Sequence, residues 1–193
     1  MPWQKNFSPD EALGKAMNAF WARGYEATSV QDLVDCMGIN RGSLYATFGD
    51  KRALFLAALR RYDSVYRHDW VTALRQSRSP RQSIMAVFEE VIDAVLNGGS
   101  RDGCLLVNTA LELSPHDPEI GAVVADALAE MEAFFRTMIE QGQSSGEIPG
   151  TVDAADTAGS LLGLFVGLRV LSRSRPEPAL LRAVGAQANA MLS

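Results

Sequence analysis

Apolar residues recur at three- and four-residue intervals through most of the chain, the period of helices with one buried face. The first such face, Leu13, Ala16, Met17 and Phe20, follows Ser8 as a cap and Pro9 at the first helical position. Glu11 can complete a capping box, Phe7 can staple onto Ala12, and Gly24 closes the helix. A shorter face of Val30, Leu33, Val34 and Met37 is capped by Thr28 or Ser29 and ends at Gly38, a residue free to turn left-handed. Asn40 then caps a second short helix running to about Thr47. Two helices this short, with so brief a turn between them, predict a helix-turn-helix.

Beyond it the pattern lengthens into rods. Asp50 caps a helix from Lys51 to about Ser77, with Leu54, Phe55, Ala58, Leu59, Tyr62, Val65, Trp70 and Leu74 on its apolar side. After the break "SRSP" a helix spans Arg81 to Asn97, stopped by Gly98 and Gly99, and another covers "GCLLVNTALEL". Asp117 and Pro118 open a helix reaching about Gln141. "GQSSGEIPGT" reads as a linker, and two last helices cover about Asp153 to Arg173 and Pro178 to Leu192. Strand alternation and fixed-period repeats do not compete. The expected fold is all-α with about nine helices: a helix-turn-helix domain over residues 1–50 and a helical body over residues 51–193.

With 47% hydrophobic and 21% charged residues the composition suits a globular chain, and the net charge of -5 argues against wholesale binding of polyanions. The charge is uneven, however. Residues 1–62 hold eight Lys/Arg and six Asp/Glu, a net of +2, whereas residues 63–193 hold ten and seventeen, a net of -7. A small cationic head on an acidic body can still meet a polyanion, because association follows local potential. The two cysteines, Cys36 and Cys104, lack metal-ligand spacing, so a reduced protein with neither metal nor cofactor is expected. The polar opening "WQKNFSPDE" does not suit a signal peptide, and the uncharged stretch Thr157 to Leu168 is short for a bilayer. A cytoplasmic protein without membrane insertion is the expectation.

Arg41, Gly42 and Ser43 open the second short helix, where a DNA reader needs side chains that are short or hydrogen-bonding. Arg41 suits guanine or a phosphate, Gly42 lets the backbone approach, and Ser43 offers a hydroxyl. Leu44 and Phe48 face inward. Tyr45, Thr47 and Thr28 are phosphate-donor candidates, with Ser29 and Asn40 at the neighbouring caps. Lys51 lies in the first turn of its helix, where the macrodipole disfavours a cation unless an anion is present. A Gly-containing turn between short helices also occurs as plain scaffold, with Lys51 and Tyr45 merely solvated.

The stretch "ALGKAMNAFWARGYEATSVQDLVDCMGINRGSLYATFGDKRALFLAAL" resembles the DNA-binding segment of the TetR/AcrR family of bacterial transcriptional regulators over about residues 8–59. The resemblance is carried by Phe20, Gly24-Tyr25, Thr28-Ser29-Val30, Gly38, Gly42-Ser43-Leu44-Tyr45, Phe48 and Lys51 with Leu54; Ala46 removes one potential base contact. It implies a homodimer that binds a double-stranded DNA operator, usually as a repressor released by a small molecule whose identity the sequence leaves open.

Two features of the body bear on that reading. Gly159, Gly163 and Gly167 form a flat stripe, each costing about 1 kcal/mol of helix propensity relative to alanine. Close packing would compensate, either with another helix of the same subunit or, as the resemblance implies, with a second subunit. A ligand cavity is likewise implied, with Trp70, Phe88, Cys104, Asn108, Phe134, Phe135, Met138 and Phe165 as candidate lining, although residues at such spacing also serve as plain core. Cys104, near a helix start, opens an alternative in which a thiol senses oxidants. A helical enzyme or lipid-handling protein is the alternative from another class. It would need a convergent acid/base or nucleophile pair, and no catalytic residues are assigned.

Overall fold

A computed structural model describes residues 7–99 and 102–193, so most of the polar opening segment lies outside the described residues. The elements are α1 (Pro9–Arg23), α2 (Val30–Met37), α3 (Arg41–Phe48), α4 (Lys51–Tyr62), a π-helical segment (Asp63–His68), α5 (Asp69–Ser77), α6 (Pro80–Leu96), α7 (Leu105–Glu112), α8 (Pro118–Ser145), α9 (Ala154–Ser174) and α10 (Pro178–Ala190). Because α4, the π segment and α5 run on as one rod, the described residues form nine helices.

The caps do what their chemistry allows. Ser8, Ser29, Asn40, Asp50, Asp117 and Asp153 each accept a hydrogen bond from a first-turn amide of the helix that follows. Ser29 and Asp32 close a full capping box, and Gly38 ends α2 in the left-handed region at φ 69°. Ser79 caps α6, placing its start at Pro80.

Two local departures from the sequence pattern have physical causes. The π segment inserts an extra residue per turn, so Val65, which helical spacing put inward, is 47% exposed. Helix α8 runs four residues past Gln141 because the left-handed glycine that ends it is Gly146, at φ 80°, whereas Gly142 lies within the helix and packs against Ile148, whose Cδ1 a Cβ there would approach to 2.7 Å. Gln143 also ties the following turn, donating to Pro149 O at 3.2 Å and Val152 O at 2.7 Å. Helix α9 embeds the uncharged stretch Thr157 to Leu168 in 21 residues that are apolar enough to cross a membrane by length and composition alone, a test that core helices of globular proteins also pass.

Two cores hold the molecule. The first joins Phe20 of α1, Leu33 of α2, Leu44 of α3, and Leu54, Phe55 and Leu59 of α4, with Phe20 and Phe55 edge to face at 4.9 Å. It continues into Leu105, Leu106 and Val107 of α7 and Ile120 and Val124 of α8, so α4 belongs as much to the head as to the body. The second core gathers α6, α8, α9 and α10 around Ile84, Phe88, Phe135, Leu161, Leu168 and Leu181. Truncating a wholly buried phenylalanine such as Phe55 or Phe135 to alanine costs about 3 to 5 kcal/mol.

Candidate functional site

Helix α3 is held from one side only. Leu44 is buried and Phe48 half-buried against the head core, while Arg41, Gly42, Tyr45 and Ala46 lie exposed. Asn40 Oδ1 accepts from Ser43 N at 2.8 Å, fixing the first turn. Arg41 has one long contact, Nη2 to Gln31 Oε1 at 3.5 Å, which holds it weakly and leaves the guanidinium able to reach outward. Side chains at position 42 are limited by the cap, since a Cβ there would stand 3.3 Å from Asn40 Oδ1. Tyr45 is 47% exposed beside them.

Other candidates are placed differently. Thr28 is wholly buried and its hydroxyl donates to Gly24 O at 2.6 Å, while its amide donates to Tyr25 O, so it is no phosphate donor in this arrangement. Ser43 turns inward and is 6% exposed, which removes its hydroxyl from the outer face. Ser29 is exposed, yet its hydroxyl already donates to Asp32 Oδ2 at 2.5 Å, and these bonds hold the Asp32 carboxyl below its ordinary range. Thr47 is half-buried. Lys51 stays at the α4 N-terminus with its ammonium 4.2 Å from the Tyr25 ring centroid, an aromatic face offsetting the dipole.

Several residues that orient this head were not legible from spacing. Glu112, at the end of α7, accepts from the amides of Tyr25 at 3.2 Å and Glu26 at 2.9 Å, gripping the turn before α2. Gly24 makes room for it: its φ is 89°, and a Cβ would meet Glu112 Oε2 at 3.1 Å. Arg52 forks onto Asp117 at 2.5 and 2.8 Å and reaches Glu119 at 2.9 Å. Those Arg52 bonds hold the Asp117 carboxyl down at about 2. Arg61 pairs with Asp10, tying α4 to α1, and Trp21 Nε1 donates to Gly103 O at 3.2 Å.

In the body, the ligand candidates divide. Phe88, Phe134, Phe135, Met138 and Phe165 are buried in the second core, where the Phe88 and Phe135 rings stack at 6.0 Å. They fill space and do not line an opening as a group. Asn108 donates to Asp102 O at 3.0 Å, which makes it a brace for the α7 entry and corrects its assignment as a ligand contact. Cys104 is 7% exposed beside Tyr62, a position few oxidants reach. Burial pushes the Tyr62 phenol well above its ordinary value, with the adjoining Cys104 thiol adding to the shift. Among the candidates, Trp70 borders a cleft with Tyr66 and Arg169, and Phe134 borders another beside Arg67 and Val71. On α9, Gly159 and Gly163 are exposed and Gly167 is half-buried; Cβ atoms at 163 and 167 would meet nothing within 4 Å. At Gly159 a Cβ would touch Glu132 Oε1 of α8 at 3.9 Å, so among the described residues only the Gly163 and Gly167 part of the stripe is left without a helix of this chain against it.

Comparison with known proteins places this geometry. Residues 12–58 match the family described as Bacterial regulatory proteins, tetR family, and residues 80–187 match Tetracyclin repressor-like, C-terminal domain. ComR, an HTH-type transcriptional repressor of Escherichia coli, is 32% identical over 171 residues, covering 88% of this chain and 81% of its own length. YezE, an HTH-type transcriptional regulator of Bacillus subtilis, is 34% identical over 147 residues, 74% of this chain and 76% of its own. A cysteine-substituted form of the TetR family transcriptional regulator CifR, solved in complex with 26 bp double-strand operator DNA, superposes with a TM-score of 0.82 at 29% identity over 99% of this chain and 100% of its own.

Proposed function

Because the chain belongs to the TetR family of bacterial regulatory proteins and is a transcriptional regulator, not an enzyme, we propose that it is a homodimeric repressor of the cytoplasm whose α3 enters the major groove of a palindromic operator and is withdrawn by a small molecule. The observation that carries the reading is the outer face of α3. Arg41, Gly42 and Tyr45 stand exposed on a helix fixed beneath by Leu44 and capped by Asn40. Arg41 is the base-reading residue, Tyr45 and Lys51 serve the phosphates, and the exposed Ser29 and Asn40 and the half-buried Thr47 border them. The body serves pairing and effector reception, and α4 packs with both head and body.

One head spans only a half-site, so a two-fold dimer supplies the second. The α9 glycines suit that contact, since Cβ atoms at 163 and 167 would meet nothing within 4 Å and the missing side chains let a helix of a second copy approach closely. Relatives named as repressors, and CifR on its operator, support the sign and the target. The test is a mobility shift with the DNA flanking the protein's own gene, alongside solution sizing. Binding should fall steeply as salt rises. A monomer in solution, or equal binding to flanking and scrambled DNA, would remove the reading.

A further inference from the structure

A cleft of about 290 Å³ opens where head meets body, bordered by Trp21 of α1, Tyr62 and Tyr66 of the central rod, Trp70 of α5, Glu90 of α6 and Arg169 of α9. Its walls are flat. Trp21 meets Tyr62 edge-on at 4.9 Å and Tyr66 at 5.2 Å, and the two tyrosines stack at 5.2 Å with 20° between their planes. Such surfaces suit a planar ring. The volume lies at the lower limit of small-molecule sites, about 300 to 1,000 Å³, which favours one ring or a fused pair.

The cleft's charge is lopsided. The Arg169 guanidinium lies 5.2 Å from the Phe165 ring centroid and 5.9 Å from that of Trp70. Its Nε is buried and has no hydrogen-bond partner among the described residues. Glu90, the acid that shares the cleft, is engaged elsewhere: it accepts from Trp70 Nε1 at 2.5 Å and pairs with Arg78 at 2.9 Å. A shielded guanidinium N–H without an acceptor is an unfavourable arrangement, and a carboxylate is the group that matches its fork.

We propose that this cleft receives a small planar aromatic carboxylate, its ring against Trp21, Tyr66 and Trp70 and its carboxylate on Arg169. The proposal rests on the reading of the body as an effector receiver and supplies the effector's chemical class. Because Nε is shielded, a full fork requires the guanidinium to turn off the Phe165 ring, so binding brings a rearrangement of the Arg169 side chain. The same occupant touches α1 through Trp21, which places it between the head and the helix assigned to pairing.

The experiment titrates the full chain with benzoate and indole-3-carboxylate, each beside its neutral amide, and follows tryptophan fluorescence. The acids should bind at least about tenfold more tightly than their amides, the span of a charge-assisted hydrogen bond. Arg169→Gln should reduce that preference to about twofold or less, and Arg169→Lys should keep part of it. Equal binding of acid and amide, no saturable signal from any of the four, or an undiminished preference in Arg169→Gln overturns the proposal; the acid–amide comparison needs no variant to fold. Operator mobility shifts keep the two readings apart. Failure of the unaltered protein to bind operator DNA removes the regulator reading, whereas acid-selective binding that leaves the DNA complex intact retains the cleft and removes its effector role.

Discussion

Helices α3 and α9 each leave one face uncovered, and the two faces have opposite chemistry. On α3 the uncovered residues are Arg41, Gly42 and Tyr45, groups that water satisfies while no DNA is present. On α9 they are Gly159 and Gly163 with Val170, which is 39% exposed, and only 22% of the helix's most apolar stretch is buried within the chain. Apolar area left in water forgoes about 25 cal/mol per Å². A polar face can wait for its partner, but an apolar one of this length is tolerable chiefly when the partner is permanent. The difference matches the proposed reading, a transient polyanion on one face and a resident helix on the other.

The contrast breaks most severely at Gly163. At Gly163, which is exposed, a Cβ meets nothing within 4 Å, so the Gly163→Leu subunit should fold, while the lane it blocks should no longer admit a second copy. Sizing should then report monomers, and operator affinity should fall by about a hundredfold or more as the two half-sites cease to act together. Folded dimers of undiminished affinity would show that α9 is not the pairing face.

On the other face, Arg41→Ala should lower affinity for the cognate operator by about tenfold to a hundredfold, leaving scrambled DNA nearly unaffected. Equal losses on both would make Arg41 a phosphate contact. Lys51→Ala should weaken all sequences alike by a smaller factor and reduce the slope of log affinity against log salt by about 0.9. An unchanged slope would leave the lysine to its Tyr25 ring.

The smallest effect concerns the link that keeps the faces in fixed relation. Asp117 is held at about 2 by Arg52, below the ordinary carboxylate range. A depressed carboxyl contributes stability that is fully present above that ordinary range and is lost as pH falls through about 2. The melting-temperature difference between the protein and Asp117→Asn should therefore be constant from pH 8 to about 5 and shrink below about 4. A difference that grows on acidification would contradict the assignment. No response near neutrality is expected from this link.

The elements were readable where a local signal fixes them. Ser29, Asn40 and Asp50 each bond a backbone amide three residues on, so the boundaries of α2, α3 and α4 are written in four-residue windows. The π segment was not readable, because a single extra residue in a turn leaves composition and flanking apolar spacing intact. The exposed readers Arg41 and Tyr45 could be picked out, but Thr28 and Ser43 could not be told from them: a small hydroxyl suits a buried helix junction as well as a phosphate. Glu112 and Arg52 were invisible for another reason. Their partners lie 86 and 65 residues away, and nothing in either neighbourhood marks a long-range anchor.

Position 24 shows what such an anchor imposes. Two independent constraints meet there: a backbone torsion of 89° that L side chains rarely adopt, and a carboxylate from a distant helix occupying the space a methyl would need. Relieving one leaves the other in force. Shortening Glu112 would clear the space yet leave the torsion strained, so a damaging replacement of Gly24 has no rescue at position 112.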